Sequence, residues 1–204
     1  MLFLHETHKV VGAREDEFEA AYREGWMPKL SQGDDARLLW YTNHAHGSGV
    51  SYNVVTITGI ADGAAWERLA RRVQSGDLQP WMRELDNLRH EVTGKILLPV
   101  EWSPLQEVDL ASVPTDCTTH PSSLFMEDTG WPYAALDDYI RSWDEIYYRP
   151  LSKTSRPHPG PPPCHGAALR VASARSVSDG YRCHRRRGGL VSMIIHWSSL
   201  SVSG

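Results

Sequence analysis

The chain opens on an apolar run, Leu2 to Val11, closed by Gly12, which predicts a strand. Acids then lead a helix at Arg14-Glu15-Asp16-Glu17, where negative charge suits the positive end of the helix dipole. Phe18, Tyr22 and Trp26 recur every four residues with Ala21 and Gly25 beside them, one apolar stripe that ends at Pro28 and Gly33. Arg37 to Thr42 reads as a second strand, His46 to Gly49 as a turn, and Tyr52 to Ile60, rich in Val, Thr and Ile, as a third strand. Two strands joined by a Gly-containing loop make an antiparallel hairpin.

Helical spacing returns with Trp66, Leu69, Ala70 and Val73, breaks at Ser75-Gly76-Asp77, and resumes over Leu78 to Val92 with Trp81, Leu85, Leu88 and Val92. Pro80 sits near the start of the second piece, where its missing N–H does no harm. Lys95 to Val100 is the fourth strand, and Pro99 puts it at an edge or near its own end. The order is β-α-β-β-α-β, the ferredoxin-like unit of the α+β class, with an antiparallel sheet.

The pattern then starts again. Leu105 to Pro121 has no periodicity and reads as a linker within 105–122. Leu124-Phe125-Met126-Glu127-Asp128-Thr129 echoes Leu2-Phe3-Leu4-His5-Glu6-Thr7. Trp143 and Tyr147, after the acids Asp137 and Asp138, repeat the aromatic stripe of the first helix. A strand and a helix matching in order and chemistry make residues 123–151 a partial second repeat, so the tandem is incomplete. The first domain is then 1–104.

Charge sets the last quarter of the chain apart. Residues 1–150 hold 13 Lys and Arg against 24 Asp and Glu, whereas residues 151–204 hold 8 against one acid, Asp179. Five prolines crowd into Pro157 to Pro163, and periodicity is lost until Leu190 to Ile195. A basic arm for nucleic acid normally mixes Lys with aromatics; this tail has a single Lys, Lys153, against seven Arg. The segment 152–204 therefore reads either as a disordered low-complexity tail or as the out-of-frame translation of a GC-rich gene. Residues 152–189 are expected to lack secondary structure, and 190–196 to form at most a short strand. No nucleic-acid partner is expected.

No run approaches the roughly 20 apolar residues of a membrane span, so no membrane partner is expected either. The cysteines Cys117, Cys164 and Cys183 show no CxxC spacing, which points to a reduced, cytoplasmic protein. Gly47-Ser48-Gly49 is no phosphate loop, because neither a GKS/T sequence nor a helix comes after it. Trp26, Trp66 and Trp81 sit on amphipathic stripes and read as core.

Seven polar side chains on the predicted strands or their ends could carry chemistry: His5, Glu6, His8, Tyr41, His44, His46 and Asn53. Alternation puts Glu6 and His8 on one face of the first strand, His5 and Thr7 on the other. Both faces carry polar groups, so periodicity does not choose the pocket. The ligand set expected here is His5, Thr7, Tyr41, Asn43, His44 and Asn53, with His5 and Thr7 facing the same way as Tyr41 and Asn43. His44 and His46, two apart, could hold a metal with His5 or Glu6, but at a Gly-rich turn such a pair is ordinarily solvated. No metal and no cofactor is expected. Apolar groups such as Leu39, Tyr41, Val55 and Ile57 on the sheet face away from the helices call for a second layer.

The opening Leu4-His5-Glu6-Thr7, the acid-led aromatic helix through Trp26 and Pro28, and the Trp66 and Trp81 helix before Gly94 resemble the NIPSNAP-like branch of the dimeric α/β-barrel superfamily. The resemblance covers 1–104 well, 123–151 in part, and nothing beyond. It implies that two ferredoxin-like units, from one tandem chain or from two subunits of a homodimer, pair their sheets into a barrel. It also implies a small apolar or aromatic ligand between sheet and helices. Because the superfamily includes proteins without known activity as well as haem-dependent and cofactor-free monooxygenases and isomerases, the reading is a small-molecule-binding barrel, with a small monooxygenase or isomerase as the alternative.

Overall fold

The computed structural model describes residues 1–44, 50–103, 105–115, 124–130, 135–150, 171–172 and 191–197. His46 and the cysteines, with the readings attached to them, lie outside the described residues. The chain forms two compact units, residues 1–96 with 107–121, and residues 97–106 with 122–204.

In the first unit, β1 (Leu2–Val10) leads into a helix with three segments: α1 (Glu15–Ala20), a π-helical stretch (Ala21–Trp26) and α2 (Met27–Leu30). The acids of its first turn are Glu15, Asp16 and Glu17, and Phe18, Tyr22 and Trp26 form its buried stripe. The hairpin strands β2 (Ala36–Asn43) and β3 (Asn53–Ile60) come next, then α3 (Gly63–Ser75), α4 (Gln79–Asp86) and β4 (Arg89–Leu97). The Asp62 carboxylate caps α3 by accepting the Ala65 N–H at 2.7 Å. Strand order is β2-β3-β1-β4, with antiparallel pairing of β1 with β3 and of β2 with β3. This is the ferredoxin-like β-α-β-β-α-β arrangement that the sequence predicts.

Two expectations are corrected. The sequence spacing predicts a second helix as far as Val92, but α4 stops at Asp86 and residues from Arg89 onward are strand. The Val11 N–H donates to the Leu88 carbonyl at 2.9 Å, so β1 captures the chain there, and tertiary pairing overrides a helical spacing that Leu88 and Val92 satisfy by coincidence. The second correction concerns β2. Leu38 opposes Thr58 but Trp40 opposes Ile57, so Leu39 is an inserted bulge residue. One extra residue reverses the alternation beyond it, which moves Tyr41 to the helix side, opposite Thr56. Gly59 makes room for the bulge: a Cβ there would lie 2.9 Å from Leu39 Cδ1 and 3.4 Å from Leu110 Cδ2.

The helix side of the sheet carries Glu6, His8, Thr56 and Tyr41, with Phe18 and Tyr22 packed on His8 and Tyr41. Beside this helix, Trp81 of α4 lies against Gly25, where a Cβ would meet the indole ring at 2.5 Å. The opposite side carries Phe3, His5, Trp40, Val55 and Ile57, all buried. Leu110 of the expected linker is buried too and reaches that side at Gly59.

The second unit holds β5 (Leu124–Gly130), α5 (Leu136–Trp143) continued by a π-helical stretch (Asp144–Tyr148), β6 (Val171–Ala172) and β7 (Val191–Trp197). Its sheet order is β6-β7-β5, and both pairings are antiparallel. That is the order β2-β3-β1 of the first unit, with a π-helical stretch at the matching place in the helix. Trp143 is buried against Tyr139 and Trp102. The run Leu190 to Ile195 does supply a strand, and residues 171–172 form a second, two-residue strand inside the stretch expected to have none. The rest of that stretch lies outside the described residues.

Candidate functional site

On the helix side of the first unit, a polar cluster is buried among aromatic rings. His8 sits at its centre, fully buried, reached from three elements. The Arg89 Nη1 group donates to His8 Nδ1 at 2.7 Å from β4. The Thr56 hydroxyl lies 2.9 Å from His8 Nε2, and the Tyr22 hydroxyl 3.2 Å from the same nitrogen. A guanidinium only donates, so Nδ1 must accept and the proton of the neutral ring sits on Nε2. Burial first, and the nearby charges of Arg89 and His5 after it, hold the His8 pKa down to about 3.

Arg89 is itself buried and tied down. Its Nε and Nη2 donate to Asp86 Oδ1 at 3.0 and 2.6 Å, and Nη2 also meets Met82 Sδ at 2.9 Å. Tyr22 is buried, and burial together with the Glu6 charge raises its hydroxyl pKa well above the ordinary phenol value. Tyr41 stands beside it, ring centroids 5.4 Å apart, with its hydroxyl buried and without a hydrogen-bond partner among the described residues. Burial, then the acids Glu19, Asp16 and Glu15, raise the Tyr41 hydroxyl pKa as well.

Glu6 flanks this cluster, directly across from Thr56 on the neighbouring strand. Burial raises its carboxyl pKa, and Arg89 and His5 oppose that shift without cancelling it. It makes no side-chain hydrogen bond among the described residues and is partly exposed. The neighbouring strand β4 has residues His90 to Gly94 exposed. A Cβ on Gly94 would sit 3.6 Å from Leu4 Cδ1 and 3.8 Å from Glu6 Cγ, in ordinary van der Waals contact, so β4 packs close beside Glu6.

The six residues expected to bind a ligand are not brought together. His5, Thr7 and Asn53 share the sheet side away from the helices. Tyr41 and Asn43 share the helix side, where Asn43 is exposed. His44 is exposed beyond the end of β2, its N–H donating to the Asn53 carbonyl at 2.9 Å. Glu6 and His8, which alternation puts on one face, do share it and meet Tyr41 there. Thr56, Tyr22 and Arg89 are not among the residues that the sequence singles out: Tyr22 reads as core, and Arg89 hides in an expected helix. The β-branched pair Val92-Thr93 is the signal for a strand there. Among the described residues, no group of three or more His, Cys, Asp or Glu is placed to hold a metal ion. No helix among them is long and apolar enough to cross a membrane.

No family model and no curated protein matches the chain. Solved structures do. A NIPSNAP domain protein from Burkholderia xenovorans is 19% identical, with a TM-score of 0.44, over 51% of this chain and 99% of its own. A putative antibiotic biosynthesis monooxygenase from Nitrosomonas europaea is 15% identical, with a TM-score of 0.36, over 47% of this chain and 95% of its own. A putative monooxygenase from Lactobacillus acidophilus is 6% identical, with a TM-score of 0.50, over 96% of this chain and 76% of its own. The chain has a ferredoxin-like α+β fold, and it is similar to NIPSNAP structures over about half of its length.

Proposed function

We propose that this chain is a small-molecule-binding α/β-barrel protein that works as a paired barrel, its ligand held between sheet and helices beside Glu6, His8 and Tyr22. One observation carries the reading: a buried His, Arg, Tyr and Thr network borders the partly exposed Glu6 carboxyl, which makes no side-chain hydrogen bond among the described residues. A core built for stability alone gains little from such a network, since burying polar groups costs desolvation. The aromatic walls, Phe18, Tyr22 and Tyr41, suit a small apolar or aromatic ligand. Of the six residues expected from the sequence, Tyr41 belongs to this pocket, and His5, Thr7 and Asn53 belong to the pairing face.

Pairing is supported by the burial of Phe3, His5, Trp40 and Ile57 on the side that the helices leave uncovered. The second layer comes from the tandem repeat or from a second copy in a homodimer.

Titration of the 15N-labelled protein with phenol tests the site. Amide shifts are expected at Glu6 to His8, Ala21 to Trp26 and Gly94. Shifts absent there would overturn the assignment. Light scattering with hydrogen exchange tests pairing: a strict monomer whose β1 and β3 amides exchange freely would contradict it.

A further inference from the structure

In the sheet order β2-β3-β1-β4, the strands β2 and β4 form the two edges. An edge strand presents a row of backbone N–H and C=O groups without a ladder partner, and proteins ordinarily blunt it with a bulge, a proline or charge. β2 carries its bulge at Leu39. β4 runs from Arg89 to Leu97 without a proline, and His90, Glu91, Val92, Thr93 and Gly94 are all exposed along it.

The charges of β4 are of opposite sign and unused. Neither Glu91 nor Lys95 makes a side-chain hydrogen bond or an ion pair among the described residues. They cannot meet within one chain, because four residues along a strand separate their Cα atoms by about 13 Å.

Turned about a two-fold axis at Thr93, however, the strand is complementary to itself. In an antiparallel copy centred there, residues equally distant from Thr93 on either side face each other. Glu91 then stands opposite the partner's Lys95, Lys95 opposite the partner's Glu91, and Thr93 opposite the partner's Thr93. Opposite charges and Thr–Thr pairs are favourable cross-strand neighbours, and like charges are unfavourable. Val92 falls opposite the partner's Gly94, which has no side chain to compete for the room. A shift of one residue either way breaks both charge pairs, so the pattern specifies a single register.

We propose that the outer edge of β4 pairs with β4 of a second copy of this chain, antiparallel and centred on Thr93, so that each Glu91 meets the partner's Lys95. Each four-stranded sheet becomes half of one continuous sheet. The contact uses the edge of the sheet, not the face that carries Phe3, His5, Trp40 and Ile57. It therefore adds to the pairing proposed above, whether that face is covered by the tandem repeat or by another copy.

The test is sedimentation of the full chain from about 10 µM to about 1 mM, a range that spans the weak affinity of so small a contact. Wild type is expected to gain mass across it. Glu91→Lys and Lys95→Glu each set like charges opposite each other twice and should weaken the association by about tenfold or more, and the double variant should restore it. In wild type the β4 amides should exchange more slowly at the high concentration than at the low one. Melting curves show whether each variant is folded, and if one single variant is not, the other single and the double decide. A wild-type mass equal to that of Glu91→Lys at every concentration would overturn the inference, as would a double variant no better than the single ones. Equal association in all four proteins would also overturn it and leave pairing through the sheet face standing.

Discussion

Arg89 Nη1 stands 2.7 Å from His8 Nδ1, and this contact fixes the protonation state of a fully buried histidine. Nitrogen NMR should find His8 neutral with its proton on Nε2, and still neutral well below pH 5. The folded pKa of about 3 lies below the ordinary histidine value of 6.5. Between those two values the unfolded chain binds more protons, so His8 should lower stability as pH falls through that window. His8→Gln should flatten that part of the stability curve. An unchanged slope would show that other groups dominate it.

Glu6 should act with the opposite sign. Its folded pKa is raised above the ordinary glutamate value of 4.5, so the folded chain binds more protons as pH passes upward from there. The contribution of Glu6 to stability is full below 4.5 and is lost as pH rises through the folded pKa. Glu6→Gln should therefore be no less stable than wild type at pH 7 in denaturant melts. A clear loss of stability at pH 7 would mean that the carboxylate is structurally required.

Gly25→Ala should destabilise the first unit although Ala favours helix. A Cβ would stand 2.5 Å from two carbons of the Trp81 ring, and an indole packed between helices cannot swing away as a lysine tip would. Overpacking of this kind costs about 1–3 kcal/mol, against about 1 kcal/mol gained in helix propensity. A melting temperature at or above wild type would contradict the close approach of α4 to the π-helical stretch.

Deleting Leu39 should restore plain alternation in β2. Leu38 would stay opposite Thr58 and Trp40 opposite Ile57, so Tyr41 should keep its place on the helix side opposite Thr56. Loss of the nuclear Overhauser contacts between the Tyr41 and Tyr22 rings would contradict Leu39 as the inserted residue. Gly59→Val tests the same bulge from the other strand, because a Cβ at 2.9 Å from Leu39 Cδ1 forces that side chain to move. It should lower stability by about 1–3 kcal/mol.

Much of the fold is legible in the sequence because each element announces itself locally. The acids before Phe18, the four-residue aromatic spacing, the break at Ser75 to Asp77 and the β-branched run of β3 each express a backbone preference or a periodicity. The second repeat is legible for the same reason, through the echo of Leu2 to Thr7 and the aromatic stripe. Its strand β7 is announced by the apolar run Leu190 to Ile195, but its place in the sheet is not, because that rests on pairing with β5 across more than sixty residues.

The site is legible only in part. Alternation alone puts Glu6 and His8 on one face, and they are together. It cannot place Tyr41, because a single bulge residue reverses every side chain after it, and the bulge depends on the space above Gly59 in another strand. It cannot find Arg89 beside His8, since those residues are 81 apart in the chain and meet only because β4 docks on β1. Residue order thus dictates the elements, their succession and the polarity of each short segment, all of which arise from interactions within a few residues. The tautomer of His8 and the face of Tyr41 exist only in the folded chain, because the first depends on the guanidinium that β4 brings to Nδ1 and the second on the bulge that β2 forms against β3.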